Sequence, residues 1–484
     1  MLDRDAAPSA WSVIGGGADI SSDAAAAEGE RSLKVTRTEP GVTRVVQRFP
    51  ATLLRTRGVA RQTARLRLTG LARPAAPGVS TALWLRVDGP RGPLFLDSAG
   101  DARGPAVEQE SVVAPAASDG GSEWRRFEVE LPFSPDVDEI ALGVSMRGQG
   151  SAWFDALELR AVVSDDWPPA APAAVRYLDA ALALMREHSL RRADVDWGTL
   201  RAQALEHARG ATTAAETQVA VRFAVRELGD RHSYLQSAAA TRTLATTAVA
   251  NARTGLPLTP PHARPLGENL AYVNVPGFAG GTPEQQVEFA ETLKNAIQAN
   301  DHARVCGWVV DLRQNTGGNL WPMLAGLGPL LGEGELAASL YPDGRHVGVW
   351  HRDGQAGFGD FAQLRVRSPY RLHAQVPAAV LLGPATASSA EILAVALRGR
   401  PATRSFGAPT RGLTAGNRIF QLADGATLVL TVAATSDSAG RVYAGPIEPD
   451  QLVAGAESPA RGEAPVDATL AAATAWLTAG DSCR

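Results

Sequence analysis

Short stretches of alternating apolar and polar residues fill the first third of the chain. Runs such as RQTARLRLTGL, STALWLRVDG and WRRFEVELPF are separated by clusters of Gly, Pro, Asp and Ser. Alternation with a period of two is typical of strands that bury one face, and the clusters are typical of turns. The pattern predicts a β-sandwich or jelly roll over residues 1–163.

The hydrophobic period changes after the Pro-rich segment SDDWPPAAP, residues 164–172. Apolar residues then recur three and four positions apart in three successive runs, with Gly210 and Gly229 after the second and third. This spacing is typical of amphipathic helices, and glycine is common just past a helix end. We predict three helices over about 170–230, within a helical subdomain spanning 164–250.

From Leu266 onward, strand-like and helix-like runs alternate. Apolar runs in ENLAYVNVPGF, VCGWVVDLR, VPAAVLLGP and TLVLTVAATSD predict strands, and the amphipathic runs between them predict helices. Such alternation is typical of an α/β domain with parallel strands in its core. The prediction is a multidomain α+β protein whose α/β part covers residues 251–484.

Composition narrows the classes of function. The chain has 484 residues, of which 45% are hydrophobic and 20% charged, as in a set of globular domains. Its 47 basic and 51 acidic residues leave a net charge of −4, so no basic field attracts nucleic acid. No apolar run reaches the roughly 18–20 residues that span a bilayer. We expect neither nucleic-acid binding nor a transmembrane segment.

The only cysteines in the sequence are Cys306 and Cys483. So few cysteines predict neither a disulfide framework nor a Cys-based zinc site, and Cys306 is expected to be a small core residue. We expect no metal and no cofactor. The first residues contain no apolar segment of the kind found in signal peptides. We expect an extracytoplasmic protein whose leader is absent from this chain, with a cytoplasmic protein as the alternative.

Two strand-to-helix junctions carry residues suited to catalysis. VVDLRQNTGGN ends in Gly317 and Gly318, and consecutive N–H groups in such a turn form an anion-binding nest. GPATASSAEI places Ser388 and Ser389 at a helix N-terminus, where unpaired N–H groups favour a developing oxyanion. Taken alone, the first is an ordinary turn and the second an ordinary helix cap.

Two further segments add a base and an acid. LGDRHSYL contains His232, and SDSAGRVYAGPIEPD contains Glu448. A neutral imidazole suits proton transfer near pH 7, and a carboxylate can orient the imidazole. Singly, the histidine is a loop residue and the glutamate a solvated surface residue.

In combination and in this order, DxHS, DLRxNxGG, TASSAE and GxPTxG resemble the C-terminal processing (tail-specific) serine peptidase family. The resemblance covers about Trp167 to Val453. It implies an α/β core of the ClpP/crotonase type beside a helical subdomain, and hydrolysis of peptide bonds. Family members carry a PDZ domain before the core, but the 234–265 interval is too short for one.

The resemblance also implies which branch and which residues act. The better-known branch uses a lysine base, but the matching position here is Leu413. The tricorn-core-like branch uses Ser, His and a Glu-containing relay, which Ser388, His232 and Glu448 match. A serine precedes the histidine in tricorn-type sites, whereas here that residue is Arg231, so the fourth relay member stays open.

The remaining site residues are expected to surround the nucleophile. By the family's S-x-x-E spacing Ser388 is the nucleophile, with Ser389 as the alternative. The backbone N–H groups of Gly317 or Gly318 and of Ser389 are expected to form the oxyanion hole. Arg313 is expected to hold the turn through hydrogen bonds rather than to meet substrate.

Several functional alternatives stay open at this stage. Trp321 and Thr414 are expected to bind substrate, with a core role as the alternative for Trp321. An esterase with the same three side chains, or an inactive peptidase-like binding protein, would also fit these residues. The ending SAWFDALEL resembles the last strand of carbohydrate-binding jelly rolls, which implies glycan contact by residues 1–163, the alternative being a structural appendage.

Overall fold

The architecture is mixed α and β, with several separate cores. The computed structural model describes residues 11–14, 18–55, 64–76, 78–89, 92–100, 123–133, 137–163, 167–238, 260–278, 281–453 and 467–483. Within that part of the chain, no helix is both long and apolar enough to cross a membrane.

The N-terminal part consists of two five-stranded antiparallel sheets that share one apolar core. Its strands are β1 Ser12–Ile14, β2 Ala18–Asp23, β3 Ser32–Arg37, β4 Val42–Pro50, β5 Ala64–Pro74, β6 Ser80–Gly89, β7 Gly92–Gly100, β8 Arg125–Phe133, β9 Glu139–Arg147 and β10 Gly150–Val163, with a short helix α1 at Thr52–Arg55. The sheet orders are β1-β4-β9-β6-β7 and β2-β3-β10-β5-β8. Alternating residues such as Leu66, Leu68, Leu83 and Leu85 fill the space between the sheets, as the period-two pattern predicted.

Three helices follow, and they confirm the predicted helical run. They are α2 Pro172–His188, α3 Trp197–His207 and α4 Ala214–Glu227. Asp196 caps α3, and Thr213 forms a reciprocal capping box with Glu216 at the start of α4.

The C-terminal part contains fourteen strands and four helices among the described residues. The strands are β11 Tyr234–Gln236, β12 His262–Leu266, β13 Leu270–Asn274, β14 Gly307–Asp311, β15 Gly334–Leu340, β16 His346–Arg352, β17 Gln355–Phe358, β18 Phe361–Arg365, β19 Ala378–Leu382, β20 Thr403–Gly407, β21 Gly416–Gln421, β22 Thr427–Asp437, β23 Val442–Tyr443 and β24 Gln451–Leu452. The helices are α5 Pro283–Asn300, α6 Leu320–Leu331, α7 Ser389–Arg398 and α8 Ala468–Ala479, followed by a 3₁₀ turn at Asp481–Cys483.

A six-stranded sheet with the order β12-β13-β14-β19-β20-β24 places the two candidate junctions together. All its pairs from β13 to β24 are parallel, as the alternating pattern predicted. Neighbouring parallel strands end at the same edge of a sheet. The turn after β14 and the segment after β19 therefore leave the sheet side by side.

A second sheet has eight strands and was only partly predicted. Its main path is β11-β22-β15-β16-β17-β18, and β21 and β23 also pair with β22. The sequence pattern indicated β22 but missed β15 to β18. These short antiparallel strands lack clean alternation; β18, for example, exposes four of its five residues.

The helical region is joined to both of its neighbours. Helices α2 and α4 share an apolar core with β22, which contains Leu428 and Leu430. In the turn between β21 and β22, Asp424 accepts hydrogen bonds from Tyr177 Oη (2.9 Å) and Gln218 Nε2 (2.6 Å). On the sandwich side, Arg65 donates to the carbonyl of Gly210 (3.0 Å).

The expectation that the cysteines form no disulfide is wrong, although Cys306 is buried in an apolar cluster as expected. Cys306 and Cys483 form a disulfide with a Cα–Cα distance of 5.0 Å, although 177 residues separate them in sequence. Helix α8 packs against the sheet, with Leu477 in the same apolar cluster as Cys306. The turn after α8 therefore brings Cys483 to the residue preceding β14, a proximity that depends on tertiary packing rather than on local sequence.

Loss of this disulfide should destabilise the protein. A cross-link that closes a long loop restricts the unfolded chain, and removing one costs about 2–5 kcal/mol. We expect the Cys306→Ala/Cys483→Ala double variant to unfold at a lower temperature and denaturant concentration than the unmodified protein. A reducing agent should lower the melting temperature of the unmodified protein and leave that of the double variant unchanged. Equal melting temperatures of both proteins under oxidising conditions would contradict the expectation.

Candidate active site

Ser388 stands at the junction between β19 and α7 in a strained backbone conformation. Its φ is 55° and its ψ is −120°, and it is one of four described non-glycine residues with positive φ. Such conformations cost free energy and persist where the surrounding structure holds them, frequently at active sites. The side chain is half-buried at the N-terminus of α7, where the helix dipole favours negative charge.

The carboxylate of Glu391 anchors this junction. Glu391 is fully buried, and its Oε2 accepts the N–H groups of Ser388 and Leu413, both at 2.8 Å. Its Oε1 accepts the hydroxyl of Thr410 (2.5 Å) and the N–H of Gly412 (2.8 Å). Burial raises the pKa of Glu391, while these four hydrogen bonds favour the ionised form and oppose the rise.

The two-glycine turn lies directly against Ser388. Gly317 and Gly318 have φ of 93° and 110°, which favour glycine. A Cβ added to Gly317 would lie 2.8 Å from Ser388 Cβ and 2.7 Å from the carbonyl oxygen of Ala387. Ser389 Oγ donates to the carbonyl of Gly318 at 2.6 Å. The predicted juxtaposition of these two segments is present in the structure.

The amides of this turn are not equivalent. The N–H of Gly317 donates to Asn315 Oδ1 at 2.9 Å. Asn315 is itself buried and donates from Nδ2 to the carbonyl of Val275 (3.0 Å). Among the described residues, the amides of Gly318 and Ser389 make no hydrogen bond, whereas the Gly317 amide, also expected as an oxyanion donor, is already paired with Asn315.

Arg313 holds the base of the turn. Its guanidinium contacts Asp311 (2.7 Å) and forms two hydrogen bonds of 2.7 Å with Asp467, the N-cap residue of α8. Bidentate pairs of this kind fix geometry as well as charge. These contacts agree with the expectation that Arg313 holds the turn.

His232 lies on the loop between α4 and β11. Its backbone N–H donates to Asp230 Oδ1 (2.9 Å), and the same carboxylate accepts the hydroxyls of Ser233 (2.7 Å) and Thr431 (3.0 Å). Asp230 thus fastens the loop to β22. It shapes the backbone around His232 rather than orienting the imidazole.

One segment joins the His232 loop to the Ser388 junction. The side-chain amide of Asn417, in β21, donates to the carbonyl of His232 (3.4 Å). Four residues earlier, the N–H of Leu413 donates to Glu391, which also holds Ser388. The base and nucleophile candidates are therefore fixed to the two ends of the 413–417 segment.

Glu448 is connected to the same junction through its backbone neighbour. The N–H of Ile447 donates to Thr410 Oγ1 (2.8 Å), which in turn donates to Glu391. The Glu448 side chain is exposed, and its carbonyl accepts Arg398 Nη2 (2.6 Å). Among the described residues, no hydrogen bond or ion pair joins its carboxylate to His232.

The two predicted substrate-binding residues occupy different settings. Trp321 is partly buried at the start of α6, and its ring packs 6.2 Å from the ring of Phe358 at the edge of the core. Thr414 is buried, and its hydroxyl donates to the carbonyls of Tyr443 (3.3 Å) and Gly445 (3.4 Å). The Thr414 hydroxyl therefore binds the backbone of the segment from Tyr443 to Gly445.

Sequence reasoning missed three functional candidates: Glu391, Asn315 and Asn417. A glutamate three residues after a serine at a helix start predicts a capping box, and this signal was present at Glu391. The hydrogen bonds of Glu391 to residues 410–413 join segments that are distant in sequence. The same is true of the hydrogen bonds made by Asn315 and Asn417. No local pattern indicates them.

The residues around the candidate site match a known protein family. Residues 269–453, which contain the glycine turn, Ser388 and Glu448, match Peptidase family S41. The chain carries a peptidase family S41 domain. This match confirms the predicted resemblance to the C-terminal processing peptidases and supports a serine-type peptidase hydrolase within residues 269–453. His232 lies outside the matched residues.

The chain is also similar to individual proteins. The chain is 28% identical over 290 residues to the nisin-resistance protein of Lactococcus lactis subsp. lactis, covering 60% of this chain and 86% of the relative. A lipoprotein structure from Streptococcus agalactiae is 25% identical, with a TM-score of 0.50, covering 64% of this chain and 97% of that one. The photosystem II D1 C-terminal processing protease is 15% identical, with a TM-score of 0.42, covering 65% and 99%.

Proposed function

We propose that this protein is a serine endopeptidase in which Ser388 is the nucleophile and His232 the general base. The observation that carries the proposal is the contact between the glycine turn and the strained Ser388 junction. Ser388 is the N-cap residue of α7, and among the described residues the amides of Gly318 and Ser389 make no hydrogen bond. That arrangement suits a tetrahedral oxyanion, and each such donor is worth about 3–4 kcal/mol of transition-state stabilisation.

The reaction would proceed in two halves. Ser388 Oγ attacks the peptide carbonyl while His232 accepts the hydroxyl proton, and the oxyanion is held by the two amides. Collapse breaks the C–N bond, and His232 returns the proton to the leaving amine. A water molecule, deprotonated by the same imidazole, then cleaves the acyl-enzyme and regenerates Ser388.

Glu448 completes the proposed relay as the acid that orients and stabilises the imidazolium. Support comes from its position next to Ile447, whose N–H is tied through Thr410 to the nucleophile junction. An esterase would hydrolyse esters rather than peptides, and an inactive binding protein would hydrolyse neither.

The experiment is turnover of casein-derived peptides compared with short-chain esters, using the purified chain and its His232→Ala variant. We expect peptide cleavage that falls by about 10³-fold or more in the variant, because the imidazole carries the proton. His302→Ala, which changes an exposed histidine, should match the unmodified protein. Cleavage of esters alone would favour the esterase, and an unchanged rate in His232→Ala would contradict the assignment of the base.

A candidate substrate class comes from the curated relative. That relative is named a nisin-resistance protein. We propose that antimicrobial peptides of nisin's kind are substrates here, with nisin itself as the peptide to include in the turnover assay.

We also propose an extracytoplasmic location and a glycan-contacting role for the N-terminal sandwich, with jelly-roll topology. The Cys306–Cys483 disulfide supports the location, because such bonds persist in oxidising compartments.

Support for the glycan-contacting role comes from the sandwich surface, where the Trp153 ring centroid lies 4.5 Å from Arg73 and 5.3 Å from Lys34. A partly exposed aromatic ring near two cations, of which Lys34 is ion-paired with Asp23 (3.3 Å), suits contact with a sugar.

A further inference from the structure

One buried carboxylate joins the Ser388 junction to the segment between Thr410 and Leu413. Glu391 has no exposed surface, and its four hydrogen bonds come from the Ser388 junction and from the segment between Thr410 and Leu413. A carboxylate has about four acceptor positions, so this one is saturated.

Helix capping accounts for only part of this arrangement. A glutamate at the third position of a helix ordinarily accepts the N–H of the N-cap residue, as Glu391 does from Ser388 at 2.8 Å. The other three donors belong to residues 19, 21 and 22 positions further along the chain. Glu391 therefore fixes the position of one active-site segment relative to another.

The segments held at Glu391 continue to the other two catalytic candidates. Beyond Leu413, the chain reaches Asn417, whose side chain donates to the carbonyl of His232. Thr410 Oγ1, besides donating to Glu391, accepts the N–H of Ile447, the residue before Glu448. Ser388 is therefore bonded to Glu391 directly, whereas Glu448 is linked to it through Thr410 and Ile447 and His232 through the 413–417 segment.

We infer that Glu391 is a positioning residue that holds Ser388 in its strained conformation and sets its place relative to His232. A residue with φ of 55° keeps that geometry only where its surroundings over-determine it, and the bond to the Ser388 N–H is one such restraint. Displacement of a nucleophile by about 1 Å can cost 10²-fold in rate. The inference rests on the proposed function, since it concerns the same site.

The test compares Glu391→Gln with the unmodified protein in two assays. Glutamine keeps the shape but replaces one acceptor oxygen by a donor, so at least one of the four hydrogen bonds is lost. We expect kcat for peptide cleavage to fall by about 10- to 10³-fold while KM changes little, because Glu391 does not meet substrate. The rate at which a small fluorophosphonate labels Ser388 should fall in parallel, in samples shown by circular dichroism to be folded.

A buried carboxylate with a different task provides the matched control. Asp301 accepts the Tyr370 hydroxyl (2.9 Å) and the His373 N–H (2.8 Å) at the end of α5. Asp301→Asn should lower the melting temperature and leave kcat and the labelling rate unchanged. Wild-type kcat and labelling in folded Glu391→Gln would overturn the inference.

A second variant decides the matter if Glu391→Gln does not fold. Thr410→Val removes one donor to Glu391, together with the acceptor of the Ile447 N–H, with little change in volume, and we expect a several-fold slower labelling of Ser388. Labelling at the unmodified rate would overturn the inference. Failure of the unmodified protein to be labelled at Ser388 would instead overturn the proposed function and this inference with it.

Discussion

Replacing Ser388 by alanine should lower the rate of peptide cleavage by about 10⁴- to 10⁶-fold, because the acyl-enzyme has no other nucleophile from which to form. The half-buried side chain contributes little to the core, and the backbone bond from Ser388 to Glu391 survives the change. Alanine does adopt positive φ with some strain, so the melting temperature should change by only a few degrees. The measurement is steady-state cleavage of a fluorogenic peptide with a melting curve on the same sample.

Two serine variants make this result specific. Ser438→Ala alters an exposed serine after β22 and should retain full activity. Ser389→Ala removes the bond from Ser389 Oγ to the carbonyl of Gly318 but keeps its amide, so a smaller loss is expected. If Ser389→Ala abolishes cleavage while Ser388→Ala does not, the nucleophile is the second serine.

Replacing Gly317 by alanine should lower kcat by about 10²-fold or more. The new Cβ would lie 2.8 Å from Ser388 Cβ and 2.7 Å from the Ala387 carbonyl oxygen, closer than carbon atoms approach in folded proteins. The turn and the nucleophile must move apart, which takes the Gly318 amide away from the oxyanion. A left-handed alanine adds about 1–2 kcal/mol of strain, so the melting temperature should fall as well.

Gly440→Ala separates the effect on catalysis from the effect on stability. Gly440 also has positive φ (81°), but an added Cβ there meets no atom within 4 Å. This variant should lose a similar amount of stability to backbone strain and keep the unmodified kcat. If kcat is unchanged in Gly317→Ala, the two-glycine turn does not take part in the reaction.

Local periodicity explains why much of the fold is predictable. Helix α4 combines a clear helical period with the capping pair Thr213 and Glu216, and both signals lie within a few residues of sequence. The buried strands β14 and β19 are continuous apolar runs, typical of parallel strands covered on both faces. By contrast, β18 has one buried residue in five, so its pairing with β17 leaves no local signature.

In the candidate site, too, some residues are indicated by local sequence and others only by the tertiary structure. Ser388, Gly317 and Gly318 each stand out because a junction or turn requires a special residue, and the order of the motifs then brings them together. Glu391 and Asn417 act through hydrogen bonds to residues far along the chain, so only tertiary structure shows what they hold. The Cys306–Cys483 disulfide was missed for this reason, since two cysteines 177 residues apart carry no information about distance.

Identification of the residue that reacts with a fluorophosphonate probe tests the central claim most directly. The unmodified protein is labelled, digested, and its modified peptide sequenced by tandem mass spectrometry, with a heat-denatured sample as control. A single adduct on the Ser388 hydroxyl, formed slowly or not at all in His232→Ala, is the predicted result. An adduct on another residue of the folded protein, with Ser388 unmodified, would contradict the account.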